Sequence, residues 1–329
     1  MFMRLLSLLC FVLVAQPALA VCAGQDLRTT LTADEQVRLQ EALEDAVFPE
    51  GNHWRATRGD RTLHLIGTMH LTDPRLDAPV DRLRETIETA DLLLLEMTDE
   101  DQAALEQRLS TDPGLLLLPD TTLPELLMEE EWQKMSEALT ARGMPPFMAA
   151  RFQPWYVSVL LAVPPCAAAP ELADSGLDAQ LEAIARSAGV PRGALENVET
   201  IFMAFADQPR ATQIDMMLSS LVDPSVSEDL FATLLASYFD ESHAEGWAVS
   251  SILAERYSPI DPSAAAEVFT TIEQELLIDR NRAWIPVLLD ATEQNVTVVA
   301  AFGAAHLPGE DGVLALLENE GFTLERLPF

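Results

Sequence analysis

The phrase Gly-x-x-His-Leu occurs twice in the 329-residue chain and constrains the fold more than any other feature. It covers residues 67–71 near the start and residues 303–307 near the end. Each copy follows an apolar run, residues 63–66 or 296–302, that predicts a buried strand, and each precedes a segment of helical character. A glycine there lets the backbone turn sharply off the strand. Each histidine is thereby placed in a loop just past a strand, where open α/β sheets bind ligands.

These two strand–GxxH–helix units at the chain ends predict an α/β fold with a mixed sheet built from two halves. Between them, from about residue 99 to residue 292, helix signals dominate, so a large helical insert separates the halves. No flexible linker interrupts residues 21–329, which we interpret as a single domain. Further strands are predicted at residues 54–66 (a hairpin), 92–95, 190–195 and 322–327. Helices are predicted at residues 30–47, 79–90, 124–142, 147–163, 177–188, 198–221, 228–242, 247–257, 264–285 and 312–320.

The first 20 residues have the pattern of a secretory signal peptide. Arg4 supplies the positive start, residues 5–15 form the apolar stretch, and residues 18–20 read Ala-Leu-Ala, a small-x-small cleavage site. The sequence therefore predicts a periplasmic or secreted protein that begins at Val21 and has no membrane span after cleavage. Cys22 and Cys166 remain in the mature chain, and in an oxidising compartment they either form one disulfide or stay as two buried thiols.

The charge balance argues against two classes of partner. The chain has 53 acidic and 20 basic residues and a formal net charge of −33. Such a surface repels nucleic acid and anionic membranes. The expected partner is instead a peptide or another small exported substrate.

Three polar residues stand at or just past predicted strand ends: His70, Glu96 and His306. Two histidines and one carboxylate can bind a divalent metal on one face and leave positions open for substrate. The same three residues could also act without metal, with a histidine as general base and the glutamate holding its tautomer. Arg280 and Asn281 lie on a predicted helix, which either presents a solvated face or brings the arginine to the site to bind an oxyanion.

These motifs, taken in order, resemble the TraB/GumN family, which includes the Tiki metalloproteases and the PrgY pheromone inhibitors. The resemblance runs from about Trp54 to the C-terminus. It depends on residues 65–70, Glu96, residues 176–178 and 195–196, Arg280–Asn281 and residues 303–309.

The resemblance implies that His70, Glu96 and His306 form a site that can hold a divalent metal ion, supported by Arg280 and Asn281. Glu199 is implied as a further acidic residue. Pro286 departs from the pattern and is expected to kink or end its helix. The implied activity is that of an exported, metal-dependent, peptidase-like hydrolase. Two alternatives stay open: a metal-free His/Glu esterase-type hydrolase, and a non-catalytic protein that captures a peptide or polysaccharide.

Overall fold

The computed structural model describes residues 22–168 and 176–329, so the predicted signal peptide lies outside the described residues. Its centre is a six-stranded sheet in the order β4-β3-β5-β2-β1-β6. The strands are β1 (His53–Arg58), β2 (Arg61–Thr68), β3 (Leu92–Leu95), β4 (Arg192–Ala194), β5 (Thr297–Gly303) and β6 (Thr323–Arg326).

The sheet is mixed, and its parallel part positions the candidate site. β2 pairs in parallel with β5, with Thr68 opposite Gly303. β3 pairs in parallel with both β5 and β4. By contrast, β1 runs antiparallel to β2 and to β6. The carboxyl ends of β2, β5, β3 and β4 therefore meet at one edge of the sheet, and the predicted mixed α/β class is confirmed.

Helices lie on both faces of this sheet, and others pack into two further apolar clusters that contain no strand residue. In the part of the chain that the structure describes they are α1 (Ala33–Leu43), α2 (Asp77–Glu88), α3 (Asp99–Thr111), α4 (Leu123–Leu126), α5 (Glu129–Ala141), α6 (Pro146–Ala149), α7 (Pro154–Ala162), α8 (Leu177–Ala188), α9 (Val198–Ala206), α10 (Arg210–Ser219), α11 (Pro224–Phe239), α12 (His243–Tyr257), α13 (Pro262–Glu273), α14 (Asp279–Gln294) and α15 (Val313–Asn319). None of the helices within these ranges combines the length and the apolar character needed to cross a membrane.

The alternation of side chains along β5 divides the core into two layers. Val298, Ala300 and Phe302 face a layer that includes residues of α14 and α15. Val299 and Ala301 face the opposite layer, which includes residues of α2 and α8. Because both faces are covered, β3 and most of β5 are apolar, which is why their sequences read as continuous hydrophobic runs.

Three predicted helices are each split into two, and those predictions were wrong in length. The segment 147–163 breaks before Pro154 because proline disfavours helical geometry in the residue that precedes it, and Gln153 has ψ 139°. The segment 198–221 breaks at Pro209, which lies at the start of α10. The segment 124–142 breaks at Leu127, which is extended and separates α4 from α5.

Pro286 was expected to kink or end its helix, and it does not end it. A π-helical turn, Gln274–Ile278, joins α13 to α14, and α14 continues through Pro286 to Gln294. A proline inside a helix costs about 3 kcal/mol. However, α14 buries Trp284, Ile285 and Leu288, and burying a large apolar side chain contributes about 1.5–3 kcal/mol. The free energy contributed by burying these side chains therefore exceeds the cost of the proline.

The structure joins Cys22 to Cys166 by a disulfide, with a Cα–Cα distance of 5.3 Å and a sequence separation of 144. Closing so long a loop restricts the unfolded chain strongly. We expect the Cys22→Ser/Cys166→Ser variant to lose roughly 3–5 kcal/mol of unfolding free energy in the chain-entropy model. Urea denaturation of the two proteins measures the difference, and an unchanged midpoint would contradict it.

Candidate functional site

Each of the four parallel strands is followed closely by an ionisable residue. His70 lies two residues beyond β2, Glu96 directly beyond β3, and Glu196 two residues beyond β4. His306 ends the short 3₁₀ turn Ala304–His306 that follows β5. Since the carboxyl ends of these strands share one edge of the sheet, the fold brings the four side chains toward one another.

Arg280 of α14 holds this group together. Its Nη2 lies 2.5 Å from Glu96 Oε2 and 2.5 Å from Glu196 Oε1, and its Nε donates to the same Glu196 oxygen at 2.8 Å. Its Nη1 donates to the Leu276 carbonyl at 3.1 Å and lies 3.4 Å from His306 Nε2. A guanidinium has five N–H groups, and these five contacts engage them. The Arg280 side chain is only 7% exposed, so in this arrangement it orients Glu96, and it is not part of the lining of the cleft that opens on His70.

Glu96 is a buried carboxylate that stays ionised. Its Oε1 accepts a hydrogen bond from the Gly303 N–H at 2.6 Å, and Arg280 contacts its other oxygen. Burial by itself raises the pKa of Glu96. The neighbouring His306, Arg280 and His70 outweigh this effect and lower the pKa to about 2. Glu196 shows the opposite balance, because burial outweighs its contact with Arg280 and raises its pKa.

His306 is fully buried and has a fixed tautomer. Its Nδ1 lies 2.6 Å from Asn281 Oδ1, and Asn281 Nδ2 donates to the Asp311 carbonyl at 2.9 Å. The amide of Asn281 is therefore oriented to accept the Nδ1 proton, which leaves the Nε2 lone pair directed at Arg280. The ring packs against Trp284 at 4.4 Å between centroids. Burial lowers the pKa of His306 to about 3, so the imidazole is neutral at pH 7.

His70 is the accessible member of the group, with its side chain 62% exposed. Its Nδ1 lies 3.1 Å from Asp178 Oδ1, and its Nε2 lies 4.0 Å from Glu96 Oε1. Desolvation lowers the pKa of His70, but the contact with Asp178 and the charge of Glu96 outweigh it and raise the pKa to about 9. The arrangement of a carboxylate, an imidazole and a free Nε2 is that of an oriented acid–base catalyst.

A cleft of about 790 Å³ opens on His70 and Glu96. Its volume is in the range of small-molecule sites. Its wall is partly apolar, with Met97, Leu105 and Ala179 among the lining residues. A ligand in this cleft can reach His70, whereas His306 lies below the surface and is not in its lining.

The predicted metal ligands His70, Glu96 and His306 do not fit a shared ion in this arrangement. The Arg280 guanidinium lies between Glu96 Oε2 and His306 Nε2. His70 Nε2 lies 4.0 Å from the other Glu96 oxygen, Oε1, and the ligand atoms of the three residues do not all lie within 4.8 Å of one another. Within the described ranges, carboxylate and histidine ligand atoms converge only at Asp99, Glu100 and Glu182. Those three carboxylates pair with Arg192.

The structure thus brings together the five residues predicted at the site: His70, Glu96, Arg280, Asn281 and His306. Glu199, predicted as a further acidic residue, instead forms an ion pair with Arg108 on the surface.

Two residues of the group were not predicted as members of the site. These are Asp178, the partner of His70, and Glu196, the second partner of Arg280. A signal for Glu196 existed, because it follows a short predicted strand in the same way as Glu96.

The buried histidines predict a loss of stability in acid. Burial is the largest cause in each case: it lowers the pKa of His306 to about 3 and those of His64 and His243 to about 4, and it also lowers the pKa of His53. Below pH 6.5 the unfolded chain binds protons that the folded chain does not, so unfolding free energy falls as the pH falls. His306 alone contributes a loss of about 2–3 kcal/mol between pH 7 and pH 4.5. Urea midpoints at the two pH values test this, and equal midpoints would contradict it.

The region of the chain that matches a known protein family includes the whole sheet. The profile of the TraB/PrgY/gumN family matches residues 52–326, a range that contains all six strands and every residue of the group described above. No curated protein matches the chain significantly.

Proposed function

The chain belongs to the TraB/PrgY/gumN family, and we propose that it is an exported hydrolase that adds water to the carbonyl carbon of a peptide or ester. The observation that carries this proposal is the His70–Asp178 pair at the mouth of the cleft, with Nε2 of His70 directed toward Glu96. We also propose that the two Gly-x-x-His units form matching halves of the site, which the parallel pairing of β2 and β5 supports.

The 4.0 Å separation of His70 Nε2 and Glu96 Oε1 admits one water at about 2.8 Å from each. Neutral His70 takes a proton from this water through Nε2, and the resulting hydroxide attacks the carbonyl carbon. His70 then donates the proton to the leaving amine or alcohol as the C–N or C–O bond breaks. The carboxylate of Asp178, 3.1 Å from Nδ1, stabilises the positive charge that His70 carries between these two steps. Ionised Glu96 accepts a hydrogen bond from the second O–H of the water, which stays on the hydroxide, and so fixes its direction.

Arg280 and His306 are buried behind the cleft and support this chemistry by positioning other groups. Arg280 keeps Glu96 charged and oriented, and the Gly303 N–H fixes its other oxygen. His306, held by Asn281, accepts from Arg280 and so fixes the guanidinium. These two residues therefore act as positioning residues, and in this proposal Arg280 orients Glu96, whereas the sequence offered it as an oxyanion binder.

Turnover by the mature protein tests the proposal. The chain from Val21 is assayed with a panel of fluorogenic peptides and nitrophenyl esters, with and without chelator. We expect turnover of at least one probe that is lost in His70→Ala. A protein that only captures ligands would show no turnover in either form. Full activity in both His70→Ala and His306→Ala would exclude this site as the catalytic centre.

Export is part of the proposal and has its own test. It rests on the signal pattern in residues 1–20, and the Cys22–Cys166 disulfide supports it because such bonds persist in oxidising compartments. We expect the mature N-terminus, measured by mass spectrometry of the intact protein, to be Val21. Recovery from the cytoplasm with Met1 retained would refute it.

A further inference from the structure

We infer that Arg280 is the built-in cation of this site: its guanidinium occupies the position that a divalent ion would take among Glu96, Glu196 and His306, and removing it would create a metal site. The inference concerns binding alone, so its test needs no substrate and does not depend on the proposed hydrolysis.

The donors around the guanidinium are those that first-row divalent ions prefer. Two carboxylate oxygens, from Glu96 and Glu196, lie 2.5 Å from the same nitrogen, Nη2. An ion at that point would need to draw each oxygen in by only about 0.3–0.5 Å to reach ordinary metal–oxygen distances. The third donor is the Nε2 lone pair of His306, 3.4 Å from Nη1.

The imidazole of His306 is already oriented as a metal ligand would be. Asn281 accepts its Nδ1 proton and is itself fixed by the Asp311 carbonyl. A hydrogen bond of this kind to the other ring nitrogen is the usual support of a metal-bound histidine. The second oxygen of Glu196 has no hydrogen-bond partner although it is buried, so it is a spare donor.

In the wild-type chain a metal ion does not readily replace the guanidinium, because the surrounding groups hold the guanidinium in place. The π-helical turn Gln274–Ile278 presents the Leu276 carbonyl to Nη1. The face of Trp284 lies 4.9 Å from the guanidinium carbon. An ion can gain the two carboxylates only if Arg280 leaves them, because two cations would otherwise repel each other inside a buried site.

Equilibrium dialysis with Mn²⁺ and with Zn²⁺ tests the inference, in the presence of excess Mg²⁺ to saturate the acidic surface. We expect the wild type to bind less than one-tenth of an equivalent. We expect Arg280→Ala to bind about one equivalent and to show a higher unfolding temperature with the ion. The double variant Arg280→Ala/His306→Ala should lose that binding. Arg282→Ala is the matched control, since Arg282 lies on the same helix and pairs with Asp311 at the surface; it should bind no more than the wild type.

Two results would overturn the inference. One is a wild type that binds a full equivalent of either ion and loses it in Glu196→Gln. The other is Arg280→Ala that binds none of the added ion. If Arg280→Ala does not fold alone, refolding with Mn²⁺ or Zn²⁺ becomes the readout: recovery that needs the ion supports the inference, and no recovery with either ion counts against it.

Discussion

Replacing His70 with alanine should lower turnover by roughly 10²–10⁴-fold, the usual contribution of a general acid–base residue. His70 is the only histidine of the described residues that lines the cleft, and the carboxylate of Asp178 lies 3.1 Å from its Nδ1. The fold should be unaffected, because the side chain lies in a loop and is 62% exposed. The measurement is kcat/KM beside the urea midpoint, and a fall in both together would indicate a structural role instead.

The pH dependence of the wild type gives an independent test of the same role. Because the pKa of His70 is raised to about 9, the neutral form that accepts a proton increases as the pH rises toward 9. We therefore expect kcat/KM to rise with pH between 6 and 9. Asp178→Asn removes the charge that raises the pKa, so its profile should shift to lower pH with a lower plateau. A profile that is flat over this range would contradict the assignment.

His243→Ala is a converse control for His70→Ala. His243 is buried and its Nε2 contacts Asn52 Oδ1. It lies outside the cleft lining. Its loss should lower stability while the turnover of each folded molecule stays near that of the wild type. The pair of variants thus separates loss of chemistry from loss of fold.

The sequence predicts which residues belong to the site better than it predicts which of those residues contact one another. His70, Glu96 and His306 could be identified because each follows an apolar strand, and strand ends are local signals. The pairing of His70 with Asp178 joins residues 108 positions apart, and no local pattern specifies it. The same holds for Glu196, which becomes a partner of Arg280 only when β4 lies at the edge of the sheet beside β3.

The points at which helices end were also only partly predictable from the sequence, for a different reason. Pro154 and Pro209 stop helices, whereas Pro286 does not, although all three remove a backbone donor. Within α14, Trp284 and Leu288 are fully buried in the core, and this packing offsets the cost of the internal proline. The sequence alone does not reveal this balance between a local cost and tertiary packing. The π-helical turn before Arg280 is likewise a product of packing and not of composition.

Replacing Arg280 with methionine in the absence of divalent ions should cause a large loss of stability. The side chains of Arg280, Glu96 and Glu196 are all buried, and removing one partner of a buried ion pair costs about 3–5 kcal/mol because the remaining charges have no compensation. Arg282→Ala should cost less than about 1 kcal/mol, since that arginine is 57% exposed in its pair with Asp311.

A triple variant distinguishes loss of charge balance from loss of packing in this cluster. Arg280→Met combined with Glu96→Gln and Glu196→Gln removes both uncompensated carboxylates along with the cation, and well-packed neutral replacements of buried ion groups are often neutral or stabilising. We therefore expect the triple variant to regain most of the stability that Arg280→Met loses, while activity stays absent because Glu96 no longer orients the water. Unfolding free energies from urea titration at pH 7 give the comparison. A triple variant less stable than Arg280→Met would show that the cluster is held by its specific hydrogen bonds and not by charge balance.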